Sequence, residues 1–295
     1  MSGRRLVRVT EVGPRDGLQN ERTTVPVADK VAFVDALVAA GFPEVEVTSF
    51  VSPRWVPQLA DGAEVMARVR RRAGTELSAL VPNERGLQGA LEAKVDKVSV
   101  FASATEGFSR RNVNAGVQEC LDRLDPVVRQ ARAAGLPVRG YVSCVVRCPF
   151  DGPVSPEAVR AVSDRLLQMG CTEIDLGDTI GAAVPDDIEA LLQGMEPLLS
   201  PEAVTLHLHD THGQAVACVR RALSLGVRSF DSAAAGLGGC PYAPGAPGNL
   251  ATEGLLAALQ AEGFSHGVDA AAVAAAGAAM RQTLTRLQRD SGGNA

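Results

Sequence analysis

Short runs rich in apolar and β-branched residues alternate with longer Ala-, Leu- and Arg-rich stretches along the whole 295-residue chain. The runs predict eight strands: Leu6–Val12, Val45–Phe50, Leu77–Pro82, Lys97–Ala102, Val138–Val145, Glu173–Gly177, Val204–His209 and Ser229–Ala234. Their apolar character is what strands covered on both faces require. Between them, apolar positions recur at helical spacing over Val27–Ala40, Gly62–Arg72, Glu84–Ala93, Val117–Ala134, Pro156–Met169, Pro185–Met195 and Gln214–Leu225. Gly41, Gly74, Gly135, Gly170 and Gly226 punctuate several helix ends, as residues that tolerate the left-handed conformation do. Eight such units without a composition break or long linker predict an α/β fold, a single (β/α)8 TIM barrel, for which about 250 residues suffice. An open doubly wound sheet would carry a Gly-rich nucleotide loop after its first strand, and no GxGxxG stands there. The barrel is expected over about 5–265. The Ala-rich stretch Val268–Leu287 predicts a C-terminal helical extension, about 266–288, packed outside the barrel or against a second subunit, and a homodimer is expected.

Composition narrows the partners. Hydrophobic residues make up 46% of the chain, enough for a large core. A formal charge of −5 supplies no overall basic face for phosphate backbones, so no nucleic-acid partner is expected. No apolar run approaches the roughly 18 residues of a membrane span. Six cysteines in a long chain without a recognisable leader predict reduced thiols and a cytoplasmic setting rather than a disulfide framework. Arginine dominates the basic residues, with Lys30, Lys94 and Lys97 the only lysines, and this reflects composition rather than mechanism.

Barrel enzymes build their sites at the carboxyl ends of the strands. There the first strand runs into Arg15-Asp16, and the second carries Glu46 and ends in Thr48-Ser49. The fifth strand offers Tyr141 and Ser143, the sixth runs into Asp178-Thr179, and the seventh holds His207-Leu208-His209. A Gly/Pro-rich loop containing Cys240 and Asn249 follows the eighth. Residues two apart on a strand share a face, so His207 and His209 point together toward the mouth, which is metal-ligand spacing. A pair of hydrogen-bonded interior histidines would have the same spacing. Two imidazoles with a carboxylate and an amide oxygen suit Mg²⁺, Mn²⁺ or a related ion better than a closed zinc site. Arg15 beside Asp16 reads either as a turn ion pair or as an oxyanion-stabilising guanidinium next to a cation-binding carboxylate. Glu46 and Asp178 are buried charges that need partners, and Arg15 is expected to serve at least one. Cys120, Cys171 and Cys218 read as core residues, and Cys144 with Cys148 as half of a zinc site lacking its other half. Cys240 stands apart, because a loop thiol beside a metal can give up a proton.

Four motifs are longer than any of these signals: Glu11-Val12-Gly13-Pro14-Arg15-Asp16-Gly17-Leu18-Gln19-Asn20-Glu21, Thr48-Ser49-Phe50-Val51-Ser52-Pro53, Gly140-Tyr141-Val142-Ser143-Cys144 and Gly236-Leu237-Gly238-Gly239-Cys240-Pro241-Tyr242-Ala243-Pro244-Gly245. Together they closely resemble the 3-hydroxy-3-methylglutaryl-CoA lyases, over roughly residues 5 to 285. The resemblance implies a (β/α)8 barrel and metal-assisted retro-Claisen cleavage of 3-hydroxy-3-methylglutaryl-CoA to acetoacetate and acetyl-CoA. It implies a divalent cation, Mg²⁺ or Mn²⁺, held by Asp16, His207, His209 and Asn249. It also implies Arg15 at the enolate oxygen, Asp16 or His207 as base, Glu46 and Asp178 shaping the charge, and Cys240 as proton donor. The acyl-CoA thioester would touch Arg15, Gln19, Ser49, Tyr141, Ser143 and Thr179, with Arg22, Arg54, Arg110 and Arg111 as candidates for its phosphates. His212 stands where similar lyases tend to have Tyr, and the tail Gln288–Ala295 lacks the cysteine some relatives carry there. Three alternatives remain open at this level: a lyase for a related 3-hydroxy-3-alkylglutaryl-CoA or citramalyl-type thioester, a Claisen-condensing synthase, and a metal-binding scaffold.

Overall fold

The computed structural model describes residues 6–21, 23–239 and 248–292. All eight strands form: β1 Arg8–Glu11, β2 Glu44–Ser49, β3 Glu76–Leu80, β4 Lys97–Ser103, β5 Val138–Ser143, then, after a small hairpin of β6 Arg147–Cys148 and β7 Gly152–Pro153, β8 Glu173–Asp178, β9 Val204–Leu208 and β10 Ser229–Ser232. The eight strands outside the hairpin pair in parallel and close in the order β1-β10-β9-β8-β5-β4-β3-β2, which is the predicted (β/α)8 barrel. Around it lie α1 Val27–Ala39, α2 Gly62–Arg68, α3 Glu84–Glu92, α4 Glu106–Val113, α5 Val117–Ala133, α6 Pro156–Met169, α7 Pro185–Met195, α8 Ala215–Leu225, α9 Thr252–Ala261 and α10 Ala270–Gly292. Local chemistry sets the helix limits. Ser155 accepts the Ala158 N–H ahead of Pro156 in α6, and Gly170, at φ 117°, ends that helix in the left-handed conformation.

Two predicted boundaries differ for identifiable reasons. The helix expected to reach Arg72 stops at Arg68, where Val69 turns extended. The released chain lets Arg70 N donate to Asp35 Oδ1 at 2.7 Å, and the Arg72 guanidinium cover the Val38 and Ala39 carbonyls at the end of α1 at 3.2 and 2.9 Å. A cation at the negative end of a helix dipole is favourable there. The eight-residue helix α4 was not foreseen from the pattern. α10 packs outside the barrel on α1, with Arg286 3.4 Å from Asp29.

The larger correction concerns the strands. They are not apolar on both faces: most alternate residues are polar, Leu80 and Phe101 being exceptions, and that face points into the barrel. Arg139 on β5 reaches Thr10 on β1 at 3.0 Å, Glu44 on β2 at 3.2 Å and Asp231 on β10 at 2.9 Å, partners that do not neighbour β5 in the sheet. Such contacts are possible only across the interior. Val9, Val45, Val98, Val142, Ile174, Leu206 and Phe230 occupy the opposite parity and form the shell between strands and helices. Barrel interiors are usually filled by Val, Ile and Leu layers. This one is ionic, with Lys97 between Glu44 and Glu173, Arg8 between Glu44 and Glu76, and the fully buried Arg139 also 2.8 Å from Glu173.

Burial opposes the charges of Arg8, Glu44, Arg139 and Glu173, and mutual pairing offsets it. Against that burial, Arg139 and Lys97 hold the Glu173 carboxyl down at about 2 and keep Glu44 below its ordinary value. Asp175 goes the other way, since burial and then the charge of Asp231 push it toward its neutral form. Replacing Arg139 by Met would leave Glu44, Glu173 and Asp231 facing one another without their shared cation. We expect Arg139→Met to lose about 3–5 kcal/mol of stability, read as a lower urea midpoint with an unchanged slope. A midpoint equal to that of the parent would show that the carboxylates do not depend on Arg139.

Candidate active site and metal centre

The carboxyl end of β1 is shaped by one carbonyl. Val12 O accepts the N–H groups of Arg15, Asp16 and Gly17 at 3.2, 2.8 and 3.2 Å, winding Gly13–Gly17 into a tight π-type turn. Glycine is needed at two of its positions: a Cβ on Gly13 would come within 2.6 Å of Glu11 Oε1, and one on Gly17 within 2.9 Å of Leu237 Cβ. The turn therefore sits flush against the start of the segment after β10 while it carries Arg15 and Asp16 over the barrel mouth. Glu11 fixes its base, accepting from Gly13 N and Ala234 N at 2.9 Å each and from the Thr252 hydroxyl at 2.8 Å.

Arg15 lies almost wholly buried between two carboxylates, its Nε 2.5 Å from Glu46 Oε2 and its Nη1 2.5 Å from Asp16 Oδ1. Burial resists its charge, but Glu46 and then Asp16 keep the guanidinium protonated. Nη2 has no acceptor among the described residues, so its two N–H groups remain for a ligand. Asp16 feels the same balance from the other side. Burial works against its ionisation, yet Arg15, with help from His207, His209 and Asn249, holds it at about 2.

Across from Asp16, β9 and the residue after it present the two histidines, with ring centroids 5.3 Å apart. Among the described residues, Asp16, His207 and His209 bring ligand-type atoms within 4.8 Å of one another. Asn249 enters from the returning chain, which lies antiparallel to His209 through a single bridge. Its Nδ2 donates to Asp16 Oδ2 at 2.8 Å and to Leu237 O at 3.1 Å. Its Oδ1, and Nδ1 of His209, are buried without a hydrogen-bond partner among the described residues. A buried acceptor left unpaired costs free energy unless something absent from the protein satisfies it. A carboxylate and two imidazoles within 4.8 Å of one another, with an unpaired amide oxygen on the residue bonded to that carboxylate, fit a divalent cation with open positions.

The remaining predicted positions separate into groups. Glu46 and Arg15 meet as expected, whereas Asp178 takes the N–H groups of Ala182 and Ala183 at 3.1 and 2.8 Å and organises the loop after β8. Burial raises its carboxyl above the ordinary range. Tyr141 points into the interior, where its hydroxyl donates to Asp231 Oδ2 at 3.1 Å, accepts from Arg139 Nη1 at 3.2 Å and lies 3.3 Å from Glu46 Oε2. Thr179 accepts the Cys144 N–H at 2.8 Å, tying the ends of β5 and β8 together. Ser49 keeps a buried hydroxyl without a partner among the described residues, while Gln19, just after the Gly13–Gly17 turn, and Ser143, at the end of β5, are half-buried. Cys144 and Cys148 pack with Phe108 in a small apolar cluster, and Arg110 and Arg111 engage Glu106 and the Phe150 ring. Cys240 and Arg22 lie outside the described residues.

Asp231 and Arg139 were not anticipated. Strand register places Asp231 directly beside His207, and Asp231 Oδ2 lies 3.2 Å from His207 Nδ1. The polar parity shared by Arg139, Tyr141, His207 and Asp231 was the available signal.

The HMGL-like family model matches residues 6–280. The chain belongs to the HMGL-like family. It is 50% identical over 287 residues to the hydroxymethylglutaryl-CoA lyase of Pseudomonas mevalonii, a match covering 97% of this chain and 95% of the relative. It is 49% identical over 271 residues to the 3-hydroxy-3-isohexenylglutaryl-CoA/hydroxy-methylglutaryl-CoA lyase of Pseudomonas aeruginosa, covering 92% and 90%. The solved HMG-CoA lyase from Brucella melitensis superposes with a TM-score of 0.94 at 46% identity, covering 95% of this chain and 99% of that one.

In this HMGL-like site the two histidines differ in proton affinity. Burial, and then the neighbouring His207, lower His209 to about 4; burial also opposes charge on His207, but its bond to Asp231 and the charge of Asp16 raise it above its ordinary value. An imidazole must be neutral to ligate. Near neutrality Asp16 is already ionised and His209 already neutral, so only His207 has a proton to lose to the cation. We expect Mn²⁺ affinity to fall as pH drops below neutrality with the linkage of one proton, measured by calorimetry in buffers of different ionisation enthalpy. Release of two protons near pH 7 would show that His209 titrates there too.

Proposed function

We propose that this chain is a metal-dependent carbon–carbon lyase that cleaves 3-hydroxy-3-methylglutaryl-CoA to acetoacetate and acetyl-CoA. One observation carries the reading: a donor set of Asp16, His207, His209 and the unpaired Asn249 Oδ1 stands beside the buried Arg15 guanidinium, in a chain half identical to hydroxymethylglutaryl-CoA lyases over nearly its full length. The relatives reported above carry lyase names, which favours cleavage over condensation.

In this reading Asp16, His207, His209 and Asn249 hold Mg²⁺ or Mn²⁺, hard ions that accept carboxylate and amide oxygen. Such an ion, when bound, lowers the pKa of a substrate hydroxyl and polarises neighbouring oxygens. The chain supplies the rest. Asp16 takes the hydroxyl proton, because His207 has no lone pair left once Nε2 holds the cation and Nδ1–H holds Asp231, and the free Nη2 of Arg15 donates to the thioester oxygen as it becomes an enolate. Glu46 keeps that guanidinium aimed, and Asp178 keeps the loop after β8 in place. Gln19, Ser49, Ser143 and, through the strand ends they brace, Tyr141 and Thr179 shape the space for the acyl-CoA thioester. Cys240 delivers the proton that completes acetyl-CoA.

The wider setting belongs to the same proposal. The described cysteines, Cys120, Cys144, Cys148, Cys171 and Cys218, are all free and buried, which supports a reducing, cytoplasmic setting. No helix among the described residues is long and apolar enough to cross a membrane. Exposed alanines on the outer face of α10 support a homodimer through that helix.

A coupled assay for acetoacetate and acetyl-CoA tests the central reaction. We expect release from 3-hydroxy-3-methylglutaryl-CoA, loss of it with chelator and recovery with Mg²⁺ or Mn²⁺. Turnover untouched by chelator would sink the metal-dependent mechanism, and absence of product would sink the substrate assignment. Including thioesters with longer 3-alkyl groups reads acyl preference, since the Pseudomonas aeruginosa relative is named for two substrates. Cys240→Ala should lower turnover about 10²- to 10⁴-fold, the range for loss of a general acid, while substrate still binds. Turnover near that of the parent would remove the thiol from the proton-delivery step.

A further inference from the structure

We propose that Asp231 is a positioning residue of the metal centre: it fixes the ring and tautomer of His207 so that Nε2 is offered to the cation, and it is itself held by Arg139. This rests on the reading of Asp16, His207 and His209 as a cation site. Asp231 and His207 are register partners on adjacent strands β10 and β9, and both point into the barrel. Carboxylate and imidazole are thereby set side by side, with Oδ2 3.2 Å from Nδ1. An ionised carboxylate only accepts hydrogen bonds, so the imidazole hydrogen belongs on Nδ1 and the lone pair on Nε2.

Asp231 has little freedom to do otherwise. It is buried, its Oδ1 accepts from Arg139 Nη1 at 2.9 Å, and its Oδ2 also receives the Tyr141 hydroxyl at 3.1 Å. Arg139 in turn is anchored by Thr10 at 3.0 Å and by Glu173 at 2.8 Å. A rigid path of charged hydrogen bonds thus runs from the barrel interior to one ligand. The other ligand has nothing comparable, because no side-chain hydrogen bond among the described residues holds the His209 ring, whose buried Nδ1 is left for the cation. His207 is oriented before a cation arrives, and His209 is not. Carboxylates behind metal-ligating histidines are generally worth about 10- to 100-fold in metal affinity.

If Asp231 served only to balance the charge of Arg139, disturbing that arginine elsewhere would matter equally. Thr10→Val provides the contrast, since it removes one bond to Arg139 and touches no ligand. Calorimetric titration of the full metal-free chain with Mn²⁺ should show Asp231→Asn weakened about 10- to 100-fold and Thr10→Val binding like the parent. Equal affinity of Asp231→Asn and parent, or equal weakening by Thr10→Val, would overturn the proposal. Nitrogen NMR of histidine-labelled, unsubstituted protein above neutral pH gives a second reading that does not depend on a variant folding. The proton of His207 is expected on Nδ1, and finding it on Nε2 would overturn the assignment. A parent that binds no Mn²⁺ would overturn the cation site itself, and the role of Asp231 with it.

Discussion

Arg139 stands in the barrel interior with no exposure to solvent, and the arrangement of carboxylates around it follows from that one buried charge. Taking a guanidinium out of water costs several kcal/mol even after relaxation, so it survives only where partners surround it. Glu44, Glu173 and Asp231 do so from three different strands, and Lys97 and Arg8 share those carboxylates lower in the barrel. Ion pairing of this kind stabilises less than an apolar core of equal volume would. Its gain is in geometry, because each charge tolerates only a narrow set of positions for its neighbours.

That geometry is passed upward to the mouth. Tyr141 and Asp231 belong both to the ionic interior and to the surroundings of Arg15, Glu46 and His207. The mouth therefore receives its charges on a rigid base rather than on loops alone. Carboxylates with opposite states lie close together as a result, Asp231 held ionised by Arg139 and the adjacent Asp175 pushed toward its neutral form. A low-dielectric interior that separates neighbouring acids in this way is what allows one strand layer to serve both folding and chemistry.

Much of this was legible in the chain, and the failures are instructive. The eight strands and the long helices declared themselves because apolar runs and helical periods extend over many residues. The triad of Asp16, His207 and His209 was visible because His207 and His209 were expected on one strand face and Asp16 stands in the turn after another strand. Asp231 was missed because it is the one charge in a four-residue strand, and only register shows that it faces His207, 24 positions away. The polar interior was written in Arg8/Thr10, Glu44/Glu46, Lys97/Ser99, Arg139/Tyr141 and Thr205/His207, alternate positions within strands whose average composition is apolar. Averaging over a run hides a period of two. Orientation of Tyr141 and Thr179 toward protein partners rather than the mouth depends on packing across the barrel, which no local pattern encodes.

The side-chain amide of Asn249 bonds both to Asp16 and to the carbonyl of Leu237, 12 positions earlier. Whatever path the chain takes between them, the segment is tied off as a closed ring at its two ends. Closing a ring of that length carries an entropy cost of about 2 kcal/mol, and it has already been met by a group that belongs to the cation site. Removing the amide would therefore do two things at once, deleting a donor and opening the ring. An acid in its place would keep an oxygen for the cation but lose the N–H that holds Leu237, so the two contributions of one residue can be told apart by the side chain chosen to replace it.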